Sequence, residues 1–595
     1  MGDGLMKSLG FVNDVEVLAS AELPVSYTCQ ECSQYDAKVL QFHFHWEEEA
    51  RKKAAAPMLE FRWSMPIVSL HFMWHPACGA ARKLKIDWMR DMSTMTAVSA
   101  PMMSFYSEDG INACTIALSE TQKEVLWNVG VHEEDGTMLC RVKIPLDTFS
   151  GREDYTVSLY RDLCPVRYET AIGHVGQWWE QDCGITPLAV PEIGRLPMYS
   201  TWYSHHQNIT DKKIEEDCAL AVQMGMKSVL VDDGWQTDDN NRGYAFCGDW
   251  QVAPSKIPDM AAHVERVHQM GMKYLVWFSV PFVGMKSPVW PIFEDKLLHV
   301  DNWRGAGILD PRYPEVREYL KNVYVSKVKE WNIDGLKLDF IDDFHVYPES
   351  VEPREGMDFR CVQEAVDRMM TDIVAALKEL NPDFLIEFRQ RYIGPNMRKY
   401  GNLFRVSDCP NDLISNRVGM VDLRLLSGST AVHSDMLMWH PEETCENAAI
   451  QMENVLFATL QFSVRPQRLT EDQRRMVCFW LNFMKENMDL LQKAPIHAQY
   501  PQMLYPIVWT ENGKEAIYAL YAENMAVEIG SGGLSRITVV NANHGREVLL
   551  RLCQPGAYNV TIRDCMGQIV SSQRRSLAAI DVVEAPAGGL IVIER

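Results

Sequence analysis

From residue 1 to about 190, apolar and polar residues alternate in short pieces. Asp14-Val15-Glu16-Val17-Leu18, Ser26-Tyr27-Thr28, Val125-Leu126-Trp127-Asn128-Val129 and Tyr155-Thr156-Val157-Ser158-Leu159-Tyr160 all follow this pattern, with turn residues between them. A period of two puts alternate side chains on opposite faces of a strand, and a series of such strands predicts a β-sandwich. The pattern changes near Leu196. Apolar runs at 197–203, 228–233, 273–279, 334–340, 384–389, 403–408, 431–437 and 457–464 then alternate with amphipathic stretches such as 211–224, 260–270, 314–331 and 361–380. Alternating strands and helices imply a parallel sheet, and about eight such units over about 300 residues fit a closed barrel. A doubly wound open sheet is the competing arrangement, but no G-x-G-x-x-G follows the first strand. Short strands return at 502–509, 516–521, 537–541 and 558–562, punctuated by Gly532-Gly533 and Gly588-Gly589. The expected architecture is a central (β/α)8 TIM barrel over 191–490, flanked by an N-terminal β-sandwich over 1–190 and a C-terminal antiparallel β-sandwich over 491–595.

Composition adds exclusions. A chain of 595 residues with 47% hydrophobic and 23% charged residues is an ordinary globular protein of several domains. Its formal net charge of -22 argues against nucleic acid and anionic membrane surfaces as partners. No apolar stretch is long enough to span a bilayer, and no basic-then-apolar leader opens the chain, so neither membrane insertion nor secretion is expected. The fifteen cysteines are scattered. Cys29 and Cys32 form a C-x-x-C without a second pair at zinc-ribbon spacing, so reduced thiols and a cytoplasmic location are expected, and no metal.

In a barrel of this kind, reactive side chains gather at the C-terminal ends of the strands. The second strand ends in Asp232-Asp233-Gly234-Trp235. Carboxylates there could accept hydrogen bonds from sugar hydroxyls and an aromatic face could pack on a ring; an acidic turn capping a helix is the plainer alternative. The third strand ends in Trp277-Phe278, which alone reads as core more readily than as a ligand platform. The fourth carries Lys337-Leu338-Asp339. Lys337 and Asp339 share a face, so the lysine would keep the carboxylate ionised, as a nucleophile requires, unless the two are a structural ion pair. The sixth ends in Arg405-Val406-Ser407-Asp408, followed by Asp412. Asp408 suits a general acid if burial or the like charge of Asp339 raises its pKa; by itself it would read as an Asx turn before Pro410. His433, in the run Ala431-Val432-His433-Ser434-Asp435, could line the same mouth or be structural, and Trp439-His440 could lie beside it.

Taken together and in order, these motifs resemble glycoside hydrolase family 36, the α-galactosidase or melibiase group, over about 196–490. Asp232-Asp233-Gly234-Trp235 is similar to the family's substrate-binding acid pair. Gly248-Asp249-Trp250 with Lys256-Ile257-Pro258-Asp259 is similar to its following loop, and Ile308-Leu309-Asp310-Pro311 with Pro314-Glu315-Val316-Arg317 to the run before the nucleophile. Lys337-Leu338-Asp339 resembles the nucleophile motif, and Arg405-Val406-Ser407-Asp408 with Asp412 the acid/base motif. The resemblance implies a retaining α-glycosidase that needs no cofactor. Asp339 would form a covalent glycosyl-enzyme and Asp408 would serve as acid and then base. Asp232, Asp233 and Lys337 would hold ring hydroxyls, with Trp235 and Trp250 packed on the sugar. The sandwiches could supply an interface, and the family often assembles, so a homo-oligomer is compatible with the sequence.

Two positions depart from the family pattern. Arg389 and Gln390 stand at the end of the fifth strand, where small groups near C2 of the sugar are usual. Ser279 follows Trp277-Phe278, where an acid is usual. The expectation is therefore a terminal α-galactoside-like or C2-modified α-hexoside, with Arg389 either binding a carbonyl or anionic substituent or pairing with Glu387. A transglycosylase using the same intermediate, a metal-dependent barrel lyase or isomerase built on Asp232, Asp339 and Asp408, and a non-catalytic carbohydrate-binding protein are the competing readings.

Overall fold

The computed structural model describes residues 6–20, 25–48, 58–146, 154–389, 393–530 and 533–595. Gln390, and Gly532 of the predicted glycine punctuation, lie outside the described residues.

The N-terminal alternation resolves into two six-stranded sheets. One runs Met6–Val12, Val15–Ser20, Met58–Pro66, Thr137–Pro145, Val125–His132, Met92–Thr94; the other runs Val25–Gln34, Ala37–Trp46, Asp154–Asp162, Asn112–Leu118, Met102–Tyr106, Phe72–Trp74. Their apolar faces meet in a core that includes Phe42, Phe44, Phe61 and Trp127, and Phe42 and Phe61 touch across it with ring centroids 4.7 Å apart. A helix that the strand pattern did not suggest, Tyr168–Asp182, follows. Its Trp179 donates to the carbonyl of Leu118 at 2.8 Å. Its Gly176 lies close enough to the helix Leu413–Leu426 that an added Cβ would sit 3.6 Å from the Leu426 carbonyl.

All eight expected barrel strands form, in parallel and in chain order around the sheet: Met198–Ser200, Ser228–Val231, Lys273–Ser279, Gly335–Asp339, Leu385–Arg389, Leu403–Arg405, Ala431–His433 and Gln461–Phe462. Single parallel bridges, His433 to Thr459 and Leu437 to Phe462, bring the seventh and eighth together. Between the strands lie helices Asp211–Met224, Met260–Gln269, Pro314–Trp331 and Val362–Leu380.

The period of two then stratifies the barrel interior. Met198, Leu230, Leu275, Leu385, Leu403 and Ala431 form one apolar layer, backed by Val190 and Ile193. Gly335 belongs to this level because nothing larger fits: an added Cβ would lie 2.7 Å from the Leu385 carbonyl oxygen and 2.8 Å from Leu275 Cγ. Two residues further along the strands, the inward positions become polar or charged, with Trp277, Lys337, Glu387 and Arg405 all buried. A further two residues along lie Asp339 and Arg389. The barrel is thus an apolar plug topped by a charged layer toward the C-terminal ends of its strands.

Between the third and fourth barrel strands the chain makes a three-stranded antiparallel excursion, Phe282–Gly284, Leu297–Asp301 and Ala306–Leu309. The C-terminal strands form a seven-stranded and a three-stranded sheet. Most pairings are antiparallel, but Glu515–Leu520 runs parallel to Arg536–Asn541, and Ala526–Ile529 parallel to Glu547–Leu552. This follows from the path of the chain: Ala526–Ile529 belongs to the smaller sheet, so the two larger-sheet strands on either side of it meet by a crossover rather than by a hairpin. Among the described residues no helix is long and apolar enough to cross a membrane, and all fifteen cysteines are free thiols.

Candidate active site

The C-terminal ends of the barrel strands surround a cavity of about 530 Å³. Asp339 and Asp408 both line it. Asp339 is the last residue of the fourth strand and is buried. Trp277 Nε1 donates to its Oδ2 at 3.0 Å and the backbone N–H of Phe340 to its Oδ1 at 2.9 Å. Arg389 Nε stands 2.6 Å from Oδ1. Burial pushes the carboxyl pKa up, but Arg389, Lys337 and the Trp277 hydrogen bond outweigh it, and the net shift is downward. Asp339 is therefore an ionised carboxylate with one oxygen held by an indole and the other by a guanidinium.

The direct partner differs from the expected one. Lys337 does share a face with Asp339, but its ammonium sits 2.6 Å from Asp232 Oδ2 and acts on Asp339 only at longer range. Arg389 takes the nearer place. Nor does Arg389 pair with Glu387, whose carboxylate faces Arg405 Nε at 3.5 Å and accepts from Gln461.

The sixth strand stops at Arg405, and Asp408 lies three residues beyond it. Arg405 Nη2 reaches Asp408 Oδ1 at 2.8 Å, while Nη1 pairs with the buried Asp435. Burial favours the protonated Asp408, but Arg405, Lys337 and Arg389 outweigh it and hold the carboxyl well below the ordinary range. This corrects the expectation of a raised pKa: the nearest charge to Asp408 is a cation, and its side chain is 43% exposed.

The acid pair after the second strand also lines the cavity. Asp233 accepts from Gln207 Nε2 at 2.6 Å and Gln236 Nε2 at 2.7 Å. Burial raises its pKa to about 6 despite these bonds.

Several expected ligands lie elsewhere. Trp235 and Trp250 are fully buried and do not line the cavity; they pack on each other, on Phe278 and, in the case of Trp250, on the edge of Trp277. Trp235 donates to the Trp277 carbonyl at 3.0 Å. Both lie in the layer behind the Trp277 wall. Trp277, read mainly as core, does reach the cavity. Arg405 stands behind Asp408 and does not line the cavity. Asp412 is exposed and caps the helix Leu413–Leu426 by accepting from the Ser415 N–H at 3.0 Å. His433 points toward the plugged end of the barrel. Its Nε2 donates to the Gly194 carbonyl at 2.7 Å, and its Nδ1 accepts from Gln461. Burial lowers its pKa to about 4, so it is neutral. Trp439 is buried against Phe462, and His440 is exposed.

Other lining residues come from loops that the strand-end rule did not reach. Arg242 and Tyr244 follow the acid pair, and Trp303 and Arg304 occupy the turn of the three-stranded excursion. Trp303 is 90% exposed, the most exposed large apolar side chain described. Phe340 directly follows the fourth strand and Trp202 lies two residues past the first, so both stand next to strand ends. Phe340 carries a left-handed φ of 64°, a costly conformation for a bulky residue. It turns its ring so that Arg304 and Arg389 lie 5.4 and 4.9 Å from its centroid.

The melibiase family model matches residues 194–494, just over half of the chain and all of the barrel. The chain belongs to the melibiase family. Among curated relatives, it is 27% identical over 155 residues to alpha-galactosidase Mel36A of Lactobacillus acidophilus, covering 25% of this chain and 20% of that protein. It is 23% identical over 195 residues to alpha-galactosidase AgaA of Geobacillus stearothermophilus, covering 31% of this chain and 26% of that protein. The matched segments thus span only about a fifth to a quarter of these family members. A solved structure of a variant of the Geobacillus glycoside hydrolase family 36 enzyme AgaA, in complex with 1-deoxygalactonojirimycin, superposes with a TM-score of 0.66 at 14% identity, covering 100% of this chain and 85% of that one. At that identity the likeness establishes the shared family fold, a barrel between two sheet-rich parts.

Proposed function

We propose that the chain is a retaining α-glycosidase that hydrolyses terminal α-galactoside-like hexosides, with its catalytic part at 191–490 between sandwich domains at 1–190 and 491–595. The observation that carries this reading is that Asp339 and Asp408 line one cavity of about 530 Å³, beside the acid pair Asp232 and Asp233. That volume suits a single sugar ring with part of a leaving group.

Asp339 attacks the anomeric carbon as the glycosidic bond breaks, and Asp408 gives its proton to the departing oxygen. Arg405 keeps Asp408 ionised while the cavity is open. A bound sugar takes water away from this half-exposed carboxyl, and desolvation favours its protonated form. In the second step Asp408 removes a proton from water, which restores the sugar hydroxyl and releases Asp339. The low pKa of Asp339 suits its part as nucleophile and leaving group. Asp232 with Lys337, and Asp233, present acceptors and a donor to ring hydroxyls. The resemblance places the Arg389 wall opposite C2, so C2-modified α-hexosides fall within the same proposal. A metal-dependent reaction is less well supported, because Asp232, Asp339 and Asp408 each face a separate cation instead of converging on a common point.

Asp408 also lines a neighbouring hollow of about 510 Å³, together with Gly79, Ala80, Pro410 and Ser415. This space beyond the acid could take a leaving group or an acceptor sugar, which keeps transglycosylation as a second reading.

Trapping with a fluorinated α-galactosyl fluoride tests the mechanism. Mass spectrometry should find one added fluorosugar on the peptide that contains Asp339. Hydrolysis of α-galactosides without any such adduct, or an adduct on another carboxylate, would rule the assignment out.

A further inference from the structure

The three-stranded excursion brings its turn to the mouth of the cavity, and that turn is fixed at several points. Asp301 Oδ1 accepts from the backbone N–H groups of Trp303 and Arg304, each at 3.0 Å. Gly305, with φ of 68°, turns the chain where an added Cβ would stand 3.3 Å from Ala245 Cβ. The Met285 N–H donates to the Gly305 carbonyl at 2.9 Å, and the Tyr244 N–H to the Arg304 carbonyl at 3.4 Å. The Arg304 side chain is held as well: it pairs with Asp343 at 2.8 Å and lies over the rings of Phe282 and Phe340. Trp303 therefore stands on an anchored frame, yet its indole is left in solvent at the edge of the cavity. An indole so exposed adds no burial to the folded state, so folding gives no reason for it.

The cavity is layered from floor to rim. Asp232, Asp233, Trp277, Lys337 and Asp339 are buried, and the apolar plug closes the barrel beneath them. A terminal sugar whose anomeric carbon reaches Asp339 occupies this floor. A terminal unit has only its leaving group attached, so the leaving group is what emerges past the rim. Of the aromatic side chains that line the cavity, Trp277 is buried, Trp202, Tyr244 and Phe340 are half-buried, and Trp303 alone is exposed. The neighbouring hollow behind Asp408 is lined by no aromatic side chain among the described residues.

We propose that Trp303 selects the leaving group: its indole packs on the flat face of a ring, a sugar or an aryl group, joined through the scissile bond, and a leaving group without a ring forgoes that contact. This deepens the glycosidase reading and rests on it. The C–H face of a pyranose and the face of an arene both match an indole, and the contact withdraws from water apolar surface that the free protein leaves exposed. Arg242, exposed at the same rim, can donate to the hydroxyls of a sugar ring but has no such partner on an arene. The contact lasts only while the leaving group is attached. Hydrolysis of the glycosyl-enzyme, the same species for every substrate with one terminal sugar, is untouched by it.

The test uses the full-length protein and substrates that share one α-galactosyl unit: α-galactosyl fluoride, whose leaving group is a single atom, p-nitrophenyl α-galactoside, and melibiose. Wild type is compared with Trp303→Ala and Trp303→Phe. In Trp303→Ala, kcat/KM for at least one ring-bearing substrate should fall about tenfold or more, while that for the fluoride stays within about twofold. A loss confined to melibiose identifies a sugar ring, a loss confined to the nitrophenyl substrate an aryl ring, and a loss with both the face they share. Trp303→Phe, which keeps a smaller ring, should retain most of the activity on the affected substrate. Retained cleavage of the fluoride shows in the same experiment that the variant is folded. Equal losses on all three substrates, or no loss on any, overturn the inference and leave the glycosidase reading intact. So does a changed assembly mass in Trp303→Ala without a change in selectivity, which would give the indole to a second copy of the chain. A wild type that cleaves none of the three overturns both.

Discussion

The proposed reaction requires Asp408 to be a proton donor in one half and a proton acceptor in the other, and the protein holds it by a guanidinium that favours only the second. Arg405 is shared among Asp408, Asp435 and Glu387, so its charge is divided and its hold on any one carboxylate is softened. The consequence is a dependence on leaving group. Replacing Asp408 with alanine should reduce hydrolysis of an alkyl α-galactoside about 10²- to 10⁴-fold, the usual contribution of a positioned acid. Formation of the glycosyl-enzyme from a dinitrophenyl glycoside, whose leaving group needs no proton, should be nearly spared. Pre-steady-state release of dinitrophenol checks this, and added azide should speed turnover of the trapped intermediate. An equal loss with both leaving groups would remove Asp408 from the role of acid. Asp339, Asp232, Asp233, Lys337 and Arg389 were legible because each sits at or next to a strand end and carries a charge. Trp235 and Trp250 misled because residue type alone cannot say which side of a wall an indole faces.

Strands and helices of the barrel were legible for a related reason. Each strand is an apolar run that stops at a polar residue, and the helices 211–224 and 314–331 keep one apolar face throughout. The three-stranded excursion was not legible, because strands of three to five residues carry too few alternations to register. The helix Cys445–Asn454 holds a different surprise. Its Glu453 is fully buried, and among the described residues neither carboxyl oxygen has a hydrogen-bond partner. Burial alone raises its pKa well above 4.5. The folded state therefore keeps a proton that the unfolded chain releases above about pH 4.5. The contribution of this site to stability is complete below the unfolded value and is lost as pH rises through the folded one. Glu453→Gln keeps the shape without the ionisation. Its melting temperature should exceed that of the parent at about pH 8 and approach it at about pH 5, since each tenfold difference in proton affinity between the folded and unfolded chain is worth roughly 1.4 kcal/mol. Parallel melting curves at both pH values would mean that Glu453 is not held as the neutral acid.

At the scale of the whole molecule, the three parts meet at one buried polar knot. Arg82 from the N-terminal part donates through Nη2 to both oxygens of Asp422, at 2.9 and 3.1 Å. Asp422 belongs to the barrel helix Leu413–Leu426 and also accepts from Trp74 Nε1 at 2.9 Å. Tyr505, which precedes the C-terminal strand Ile507–Glu511, donates to the same carboxylate at 2.6 Å while accepting from Arg82 at 3.0 Å. Both charged side chains are at most 2% exposed, so neither can turn to water if the other is lost. Asp422→Leu should cost about 3–5 kcal/mol, since it leaves the Arg82 charge buried and unmatched. Arg82→Met with Asp422→Leu removes both charges and should recover much of that loss, giving a coupling well above the few tenths expected for independent sites. The loss should also change how the molecule melts. Calorimetry should give one transition for the parent and separated transitions for Asp422→Leu, because the knot is where sandwich, barrel and C-terminal sheet are tied through a single carboxylate. Near-additive single and double variants, or an undivided transition in Asp422→Leu, would mean that the apolar contacts between the parts hold them together without it. The same helix is capped by Asp412, just past Asp408, so a knot that fixes its register also fixes the segment carrying Asp408, and Asp422→Leu should slow the proposed hydrolysis at temperatures where the barrel itself remains folded.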